Sequence, residues 1–532
     1  MPTVSEVASQ VLKDAGIGHI FGYPGGEVTS FIDQARKAGI EFILTKHETP
    51  AAFMAGAYGE ITGRPGVCMS TLGPGAANMV CGILDAYLDR APLLALTGQM
   101  PERMQNIATH QRLETSRMMT PLTKWQATLN PGSVSSTLRK AIKIALAPRP
   151  GPVHLEIASD VANMDNKPEP VASWDPTEPV IYPEFTPAQV TRAAKLVNAS
   201  KQPALLVGLG AVLAGAQHDV IRLAEHLGCP VLVAPKAKGI MPEDHQLFSG
   251  VIEMLGHDVP VSLIRKADLL LAIGFDPVEL DKPWLFDAPV VHIDQVPNTD
   301  GYYAASCEVV GDVRSALRAL VGSLLPRGSW QWALEDIRAS RHELLGLVTR
   351  KVSGLAGHDV VRTARQMLPA DAIATCDVGA HKFMVGQLWT TYTPRTFFMS
   401  NGLSSMGYGF PTALTAKLLF PETPVIGFLG DGGMSMYLGE IETAVRLGVP
   451  LITVVLCDES LSLIKMNQER KGIPYTGVEF GNPDYAEIAR CFGASGFRVQ
   501  SQSEMQQALA EAMTSQKPVF IHADIDASAY RI

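Results

Sequence analysis

Two acidic residues in the last third of the chain are spaced so that they could hold one metal ion. Asp431 lies in the glycine-rich run 430–433, directly after the apolar segment 425–429, and Asp458 follows the apolar segment 451–456. Carboxylates and phosphate oxygens are ligands that suit a hard cation such as Mg2+. The glycines let the backbone approach an anion closely, so the pattern indicates a diphosphate held through a divalent cation.

Other interpretations of the glycine-rich run are weaker. A Walker A phosphate loop is excluded because no Lys-Ser or Lys-Thr pair follows the glycines. A Gly-Asp-Gly sequence on its own is more often a tight turn without a ligand. The acidic residue at the end of the next apolar segment is what favours the metal site over the turn.

The segments around the two acids predict the elements that position them. Residues 425–429 and 451–456 have the composition of buried strands, and residues 437–447 have the apolar spacing of a helix. A strand–helix–strand unit of this length is a right-handed crossover with parallel strands. Both acids then lie at carboxyl ends of strands, where open α/β sheets bind ligands.

The same alternation of strands and helices runs through the whole chain of 532 residues. It predicts an α/β fold with three doubly wound parallel-sheet domains, at residues 1–165, 186–328 and 356–532. Residues 166–185 are rich in Pro, Asp and Glu, which predicts a linker. Residues 329–355 are predicted to be a helical connector.

Composition narrows the possible partners. The formal net charge is −9 and basic residues form no run, so we expect no binding to nucleic acid or to anionic membranes. No apolar run reaches the ~18 residues of a membrane span, and the N-terminus resembles neither a signal nor a transit peptide. Seven scattered cysteines without metal-ligand spacing are typical of a reducing compartment, which predicts a cytoplasmic protein.

A second set of polar segments follows the first three predicted strands, at residues 22–27, 46–48 and 71–78. Each lies at the carboxyl end of a strand, so we expect all three to line one crevice. The Gly-Pro-Gly run within 71–78 opens a helix and exposes N–H groups to an anion. Glu48 begins an apolar helix and is suited to proton transfer, although an acid that merely interacts with the helix dipole explains Glu48 alone equally well.

The middle block carries a weak nucleotide signal. Gly208 and Gly210 follow a predicted strand, but Leu213 occupies the place of the third glycine in the dinucleotide fingerprint. A structural turn is therefore favoured over a dinucleotide site. The acidic loop 274–281 would repel a flavin diphosphate.

Together these segments resemble the thiamine-diphosphate-dependent enzymes of the acetolactate synthase type over nearly the whole chain. The run 430–432 with Asp458 matches the family's diphosphate–metal motif, in which Asp458 replaces the usual second Asn. The resemblance implies Mg2+ on Asp431, Asp458 and the backbone carbonyl of Ser460. It also implies a catalytic role for Glu48.

The resemblance implies a wider set of site residues and names for the three domains, which would be pyrimidine-binding, central and diphosphate-binding. Gln111 matches a glutamine near the reacting carbon, so the implied catalytic residues are Glu48 and Gln111. Met406 matches the residue that bends the cofactor. The cofactor-binding residues implied are Pro24, Gly25, Gly26, Gly73, Asn78, Gly379, Ala380, His381, Gly402, Ser405, Met406, Gly430, Asp431, Gly432, Gly433, Asp458 and Leu463.

Within that family, residues 274–281 and 476–481 resemble the catabolic, flavin-free acetolactate synthases, in which an Asp is also found at position 458. Asn467 stands where the biosynthetic enzymes have a tryptophan. The resemblance therefore implies condensation of two pyruvate molecules to 2-acetolactate and CO2, with thiamine diphosphate and Mg2+ and without FAD. It also implies a homodimer or homotetramer whose active sites are shared between subunits.

Two departures leave alternatives open. Leu461 replaces an aromatic residue of the catabolic enzymes, and residues 109–114 resemble thiamine enzymes that act on other acyl groups. A 2-oxoacid decarboxylase, or a carboligase or acyltransferase with another acceptor, is the alternative enzyme. A catalytically silent homologue serving in binding or assembly is disfavoured because Glu48, Asp431 and Asp458 are all present.

Overall fold

The structure is a computed structural model that describes residues 1–107, 109–169, 183–481 and 483–530. It contains three six-stranded sheets, and every pair of neighbouring strands named below is parallel. Several strands are buried along their full length, among them Leu269–Ile273 and Gly66–Ser70. Continuous apolar burial is typical of parallel sheets covered by helices on both faces. These observations confirm the predicted α/β class.

The N-terminal sheet has the strand order β2-β1-β3-β4-β6-β5. Its strands are β1 His19–Tyr23, β2 Glu41–Leu44, β3 Gly66–Ser70, β4 Leu93–Gln99, β5 Trp125–Thr128 and β6 Pro152–Ala158. Its helices are α1 Val4–Asp14, α2 Thr29–Lys37, α3 Glu48–Thr62, α4 Pro74–Asn78, α5 Val80–Leu88, α6 Thr115–Met119 and α7 Val134–Leu146.

The central sheet has the order β12-β11-β10-β7-β8-β9. Its strands are β7 Pro203–Val207, β8 Val231–Val233, β9 Phe248–Val251, β10 Leu269–Ile273, β11 Val290–Asp294 and β12 Ala305–Val310. The helices of this region are α8 Pro187–Ala199, α9 Leu209–Leu213, α10 Gln217–Leu227, α11 Asp258–Ile264, α12 Val313–Val321 and the connector helix α13 Leu334–Val348.

The C-terminal sheet has the order β14-β13-β15-β16-β18-β17, which repeats the order of the N-terminal sheet. Its strands are β13 Ile373–Cys376, β14 Phe397–Met399, β15 Val425–Gly430, β16 Ile452–Cys457, β17 Ser495–Val499 and β18 Val519–Asp524. Its helices are α14 Gly357–Met367, α15 Ala380–Leu388, α16 Gly409–Leu419, α17 Asp431–Met436, α18 Glu440–Arg446, α19 Ser462–Arg470, α20 Tyr485–Cys491 and α21 Gln502–Ala512.

The chain divides into two compact units, each of which packs mainly against itself. The first holds the N-terminal sheet together with residues 403–419 and 437–447, and the second holds the central and C-terminal sheets. Helix α16 belongs to the first unit because it packs against α3. The predicted domain boundaries, which keep all residues after 356 in one domain, therefore remain a prediction.

The predicted linker 166–185 falls mostly on residues 170–182, which lie outside the described residues. Its first part is held in place. Asn166 accepts a hydrogen bond from the backbone N–H of Gly132 at 2.8 Å, and Glu169 accepts from the N–H groups of Ser135 and Ser136 at 3.0 Å each. Glu169 thus satisfies N–H groups in the first turn of α7, where an acid is favoured by the helix dipole.

The helix predicted for residues 437–447 is present as α18 Glu440–Arg446, and the structure adds a helix before it, α17, which begins at Asp431. Ser435 Oγ and the Tyr485 hydroxyl both donate to the Asp431 carbonyl, at 2.9 and 2.8 Å, and tie the first turn of α17 to α20. No helix among the described residues is long and apolar enough to cross a bilayer.

Candidate active site

The two acids of the glycine-rich motif meet at one edge of the C-terminal sheet, as their spacing predicted. Strands β15 and β16 are neighbours, with Gly430 opposite Leu456. Asp431 Oδ2 accepts hydrogen bonds from the backbone N–H groups of Asp458, at 3.1 Å, and Glu459, at 2.8 Å. The carboxylate that follows one strand therefore fixes the turn that follows the next.

The Asp458 carboxylate is held within its own turn. Its Oδ1 accepts from Ser460 N at 3.2 Å, and its Oδ2 accepts from Ser462 Oγ at 2.7 Å. Glu459 adopts a left-handed φ of 61°, so the chain reverses sharply between the two residues predicted to bind metal. Ser460 is buried and forms an isolated bridge with Glu479.

Burial and mutual repulsion disfavour two negative charges at this edge. Burial, reinforced by the Asp458 carboxylate, raises the pKa of Asp431 to about 6, and burial also raises the pKa of Asp458. A divalent cation would offset both effects. Among the described residues, no group of three or more His, Cys, Asp and Glu side chains could hold a metal ion. The two carboxylates fit a hard cation that completes its shell with backbone and phosphate oxygens.

The loop after β13 lies beside the loop after β15, at the point where the strand order of this sheet reverses. Open α/β sheets bind ligands at such a point. Gly379 has a φ of 152° and precedes α15, and a Cβ at Gly430 would lie 3.1 Å from the His381 ring. Burial lowers the pKa of His381 to about 4, so its ring is neutral at pH 7.

The sequence assigned further residues of the second unit to the cofactor. They lie on or next to the loops that follow β13, β15 and β16. Ala380 is buried at the start of α15, Gly432 and Gly433 form the first turn of α17, and Leu463 is half-buried in α19. Gly402 follows β14 and is half-buried.

In the first unit, Glu48 opens helix α3 and is 7% exposed. Its Oε2 accepts a hydrogen bond from Asn78 Nδ2 at 2.9 Å. A Cβ at Gly75 would lie 3.1 Å from its Oε1. The loop after β3 therefore approaches the carboxylate so closely that a larger residue at position 75 would crowd it. His47, left unassigned from sequence, caps α3 by accepting from Thr49 N at 3.1 Å.

The glycine loops after β1 and β3 also meet where the strand order reverses. A Cβ at Gly25 would collide with the Thr71 side chain. Gly73 has a φ of +60°, and a Cβ there would lie 2.9 Å from the Gln111 carbonyl oxygen. The close approach of these loops therefore requires glycine at both positions. Pro24 is exposed at the end of β1.

Gln111 is exposed, has a left-handed φ of 54°, and lines a cavity of about 370 Å3 together with Gly26. Three further polar residues line this cavity, namely Glu27, His110 and Ser159. The sequence placed Glu27 in the polar segment 22–27 but gave it no role of its own. Thr71 Oγ1 donates to Glu27 Oε2 at 2.6 Å, so a residue of the loop after β3 holds Glu27 in place.

The segment with Ser405 and Met406 belongs to the first unit. Both residues are half-buried. Ser405 Oγ lies 3.2 Å from Cys81 Sγ on helix α5, which fixes one end of the segment. At its other end, a Cβ at Gly407 would collide with the Tyr437 ring.

Sequence reasoning missed one buried acid near Glu48. Glu440 is 1% exposed, and its Oε1 accepts from the backbone N–H groups of Lys46 at 2.7 Å and His47 at 3.2 Å. Its Oε2 accepts from Thr443 Oγ1 at 2.7 Å. Glu440 thus anchors the segment that carries Glu48. The two backbone N–H groups that it accepts from are almost 400 positions away in the chain, so the sequence carried no signal for this role.

The chain matches three models of thiamine pyrophosphate enzymes. They are the N-terminal TPP binding domain over residues 2–118, the central domain over residues 190–320 and the C-terminal TPP binding domain over residues 377–523. Each model falls on one of the three sheets.

Relatives align over nearly the full length. A probable acetolactate synthase large subunit of Methanocaldococcus jannaschii is 32% identical over 98% of this chain and 92% of the relative. The acetolactate synthase large subunit of Haemophilus influenzae is 30% identical over 99% and 95%. The acetolactate synthase of Bacillus subtilis is 29% identical over 98% and 93%. The chain therefore belongs to the thiamine pyrophosphate enzymes and, among them, to the acetolactate synthase family.

Proposed function

We propose that this enzyme decarboxylates pyruvate and joins the remaining two-carbon unit to a second pyruvate, which yields 2-acetolactate and CO2. The observation that carries the proposal is that Asp431 and Asp458 meet at neighbouring strand ends, where they would hold a cation-bound diphosphate, in a chain whose full-length relatives are named acetolactate synthases. Bound thiamine diphosphate would supply the nucleophilic carbon and the electron sink for loss of CO2.

The acids after β15 and β16 would hold the diphosphate. Asp431, Asp458 and the Ser460 carbonyl would bind Mg2+, and phosphate oxygens would complete its coordination. The glycines at 430, 432 and 433, with the loop 379–381, leave room for the phosphates, since a side chain at Gly430 would crowd His381. The second carboxylate, where the family usually has Asn, adds attraction for the cation.

Glu48 would hold or move a proton at the ring nitrogen of the aminopyrimidine. Its buried Oε2 accepts from Asn78, which leaves Oε1 as the atom that can face the cofactor. Met406 would support the bent cofactor from one side. Gln111 and the backbone at Gly25 and Gly26 would orient the acceptor, because Gln111 and Gly26 line the same cavity.

We further propose that the enzyme works without a flavin. Glu279 Oε1 accepts from the backbone N–H of Leu209 at 2.8 Å, just after the strand β7. In a dinucleotide-binding loop, the phosphates use such N–H groups. A Cβ at Gly208 would also lie 2.6 Å from Glu279 Oε1. A purified protein with visible flavin absorption would contradict this proposal.

The proposed assembly is a homodimer or homotetramer that shares active sites between subunits, as the family resemblance implies, with a 2-oxoacid as its small-molecule substrate. Its proposed compartment is the cytoplasm, supported by seven cysteines that are all free. Sedimentation of the protein with thiamine diphosphate and Mg2+ tests the assembly. An active monomer would contradict shared sites.

The activity is tested by incubating the protein with thiamine diphosphate, Mg2+ and pyruvate and identifying the products. We expect acetolactate and CO2. Acetaldehyde without acetolactate would instead establish a 2-oxoacid decarboxylase. Cofactor binding without CO2 release from any of a panel of 2-oxoacids would establish a silent homologue.

A carboligase with a different acceptor is the second candidate, and the cavity beside Gln111 favours it. Glu27 gives that cavity an acidic side chain, which favours an uncharged acceptor such as an aldehyde over the pyruvate anion. Pairing pyruvate as donor with a panel of aldehydes and 2-oxoacids separates the two. A product that forms faster than acetolactate would favour the second candidate.

A further inference from the structure

A second cavity, of about 580 Å3, lies in the second unit beside helices α13 and α14. This volume is typical of small-molecule sites. Its polar lining comes from Thr349, Arg362, Arg365, Gln366, Thr390 and Tyr392. None of these residues belongs to the proposed active site.

The cavity lies at the opposite edge of the C-terminal sheet from the two acids. Its lining residues Leu368 and Ala370 immediately precede β13, and Thr390 and Tyr392 precede β14. They are therefore near the amino ends of these parallel strands. Asp431 and Asp458 follow the carboxyl ends of neighbouring strands.

Arg365 is held in a fixed orientation at this cavity. Its Nη2 donates to the carbonyl oxygens of Leu368, at 2.8 Å, and Pro369. The guanidinium also lies over the Trp389 ring, 4.4 Å from its centroid, and 5.6 Å from the centroid of Tyr392. Within the described residues, Nε and Nη1 of Arg365 donate to no protein atom, so they remain available to a ligand.

Arg362 is exposed and makes no hydrogen bond or ion pair with the described residues. It precedes Arg365 by three positions on α14, a spacing that puts the two Cβ atoms about 5–6 Å apart on one helix face. Among the residues that the structure describes, no carboxylate lines the cavity. Asp371 acts on Arg365 through its charge but lies outside the lining. Two cations thus border one cavity with no acid in its lining.

We propose that this cavity binds the phosphate monoester group of a small organic molecule. Guanidinium groups match phosphate oxygens in a bidentate geometry, and two of them balance the charge of a phosphate dianion. Gln366 and the hydroxyls of Thr390 and Tyr392 supply hydrogen bonds for a sugar. Leu345 and Leu388 give the cavity an apolar wall for the rest of the ligand.

The test is calorimetric titration of the enzyme saturated with thiamine diphosphate and Mg2+, so that phosphates cannot enter the diphosphate site. The probes are AMP, inorganic phosphate and adenosine. We expect AMP to bind, inorganic phosphate to bind more weakly, and adenosine, which lacks the phosphate, to bind far more weakly than AMP. Arg362→Gln should weaken AMP binding about ten-fold or more, the usual effect of losing a charge-assisted hydrogen bond.

Arg338→Gln is the matched control, because Arg338 is an exposed arginine of the adjacent helix α13 that pairs with Glu335 and does not line the cavity. Arg365→Lys keeps the positive charge but loses the planar guanidinium, which can donate two parallel hydrogen bonds to a phosphate. It should therefore weaken AMP binding as well. Absence of AMP binding overturns the proposal. So does AMP binding that Arg362→Gln leaves unchanged or that Arg338→Gln reduces equally, and so does binding of adenosine as tight as that of AMP.

Discussion

Glu279 provides a sharp test of the packing in the central sheet region. Its side chain is 2% exposed, and burial raises its pKa to about 8. The N–H of Leu209 stabilises the charged form only in part. The change Glu279→Gln keeps the shape and the accepting oxygen but removes the ionisation.

The sign of the effect follows from proton linkage. The folded protein holds the Glu279 proton more tightly than the unfolded chain does, so ionisation favours unfolding. Stability is therefore lost as the pH rises from 4.5, the ordinary value, to about 8, and the loss is complete above that. At about 1.4 kcal/mol per pH unit, the loss amounts to a few kcal/mol, with about 5 kcal/mol as the upper value.

The assay is urea unfolding of the wild type and of Glu279→Gln at several pH values from 5 to 8.5, which bracket the pKa of Glu279. The difference between their midpoints removes the contribution of all other titrating groups. We expect the two proteins to be similar at the acidic end and the variant to be more resistant at the basic end.

Glu335→Gln is the matched control, since the Glu335 side chain is 82% exposed on the surface of α13. It should follow the wild type at every pH. If the urea midpoints of the wild type and of Glu279→Gln change in parallel over this pH range, the conclusion that Glu279 is buried and protonated is refuted.

Three further predictions concern the candidate active site. Glu48→Gln should keep binding thiamine diphosphate but lower CO2 release about 100-fold or more, as is usual on loss of a proton-transfer group, and activity within a few-fold of wild type would refute its role. Asp458→Asn should raise the melting temperature of the metal-free protein, because it removes a buried charge beside Asp431. Asp458→Ala removes the oxygen ligand that Asn would keep, so it should reduce the rise in melting temperature on adding Mg2+ and thiamine diphosphate; an unchanged rise in Asp458→Ala would show that Asp458 does not bind the metal. Glu440→Ala should lower the free energy of unfolding by about 2–4 kcal/mol, since it leaves two N–H groups and a hydroxyl without their acceptor, whereas Glu440→Gln should have a smaller effect in the same urea assay.

Much of the architecture followed from local pattern. Fully apolar strands with intervening helices predicted parallel sheets, and the structure has three of them. The separation of Asp431 from Asp458 predicted that both would reach one sheet edge, because a crossover of that length leaves few other arrangements. These inferences succeed because hydrophobic periodicity and strand–helix spacing act over tens of residues.

The residues at which helices begin were harder to predict from the sequence. The sequence predicted a helix only from residue 437, yet α17 begins at Asp431. The Tyr485 hydroxyl, which stabilises that start by donating to the Asp431 carbonyl, lies 54 positions further along the chain. Local propensity loses to a tertiary hydrogen bond of this kind.

The sequence by itself determined the fold class, the position of the acids at strand ends and the family to which the chain belongs. Only the tertiary structure decided which buried acids hold the loops at the strand ends. Glu440 holds the backbone before Glu48, and Glu279 occupies the loop at Leu209. Both acids act through backbone N–H groups, which every residue type except proline carries. Such partners leave no mark in a sequence, because they are selected by where the folded chain brings the backbone.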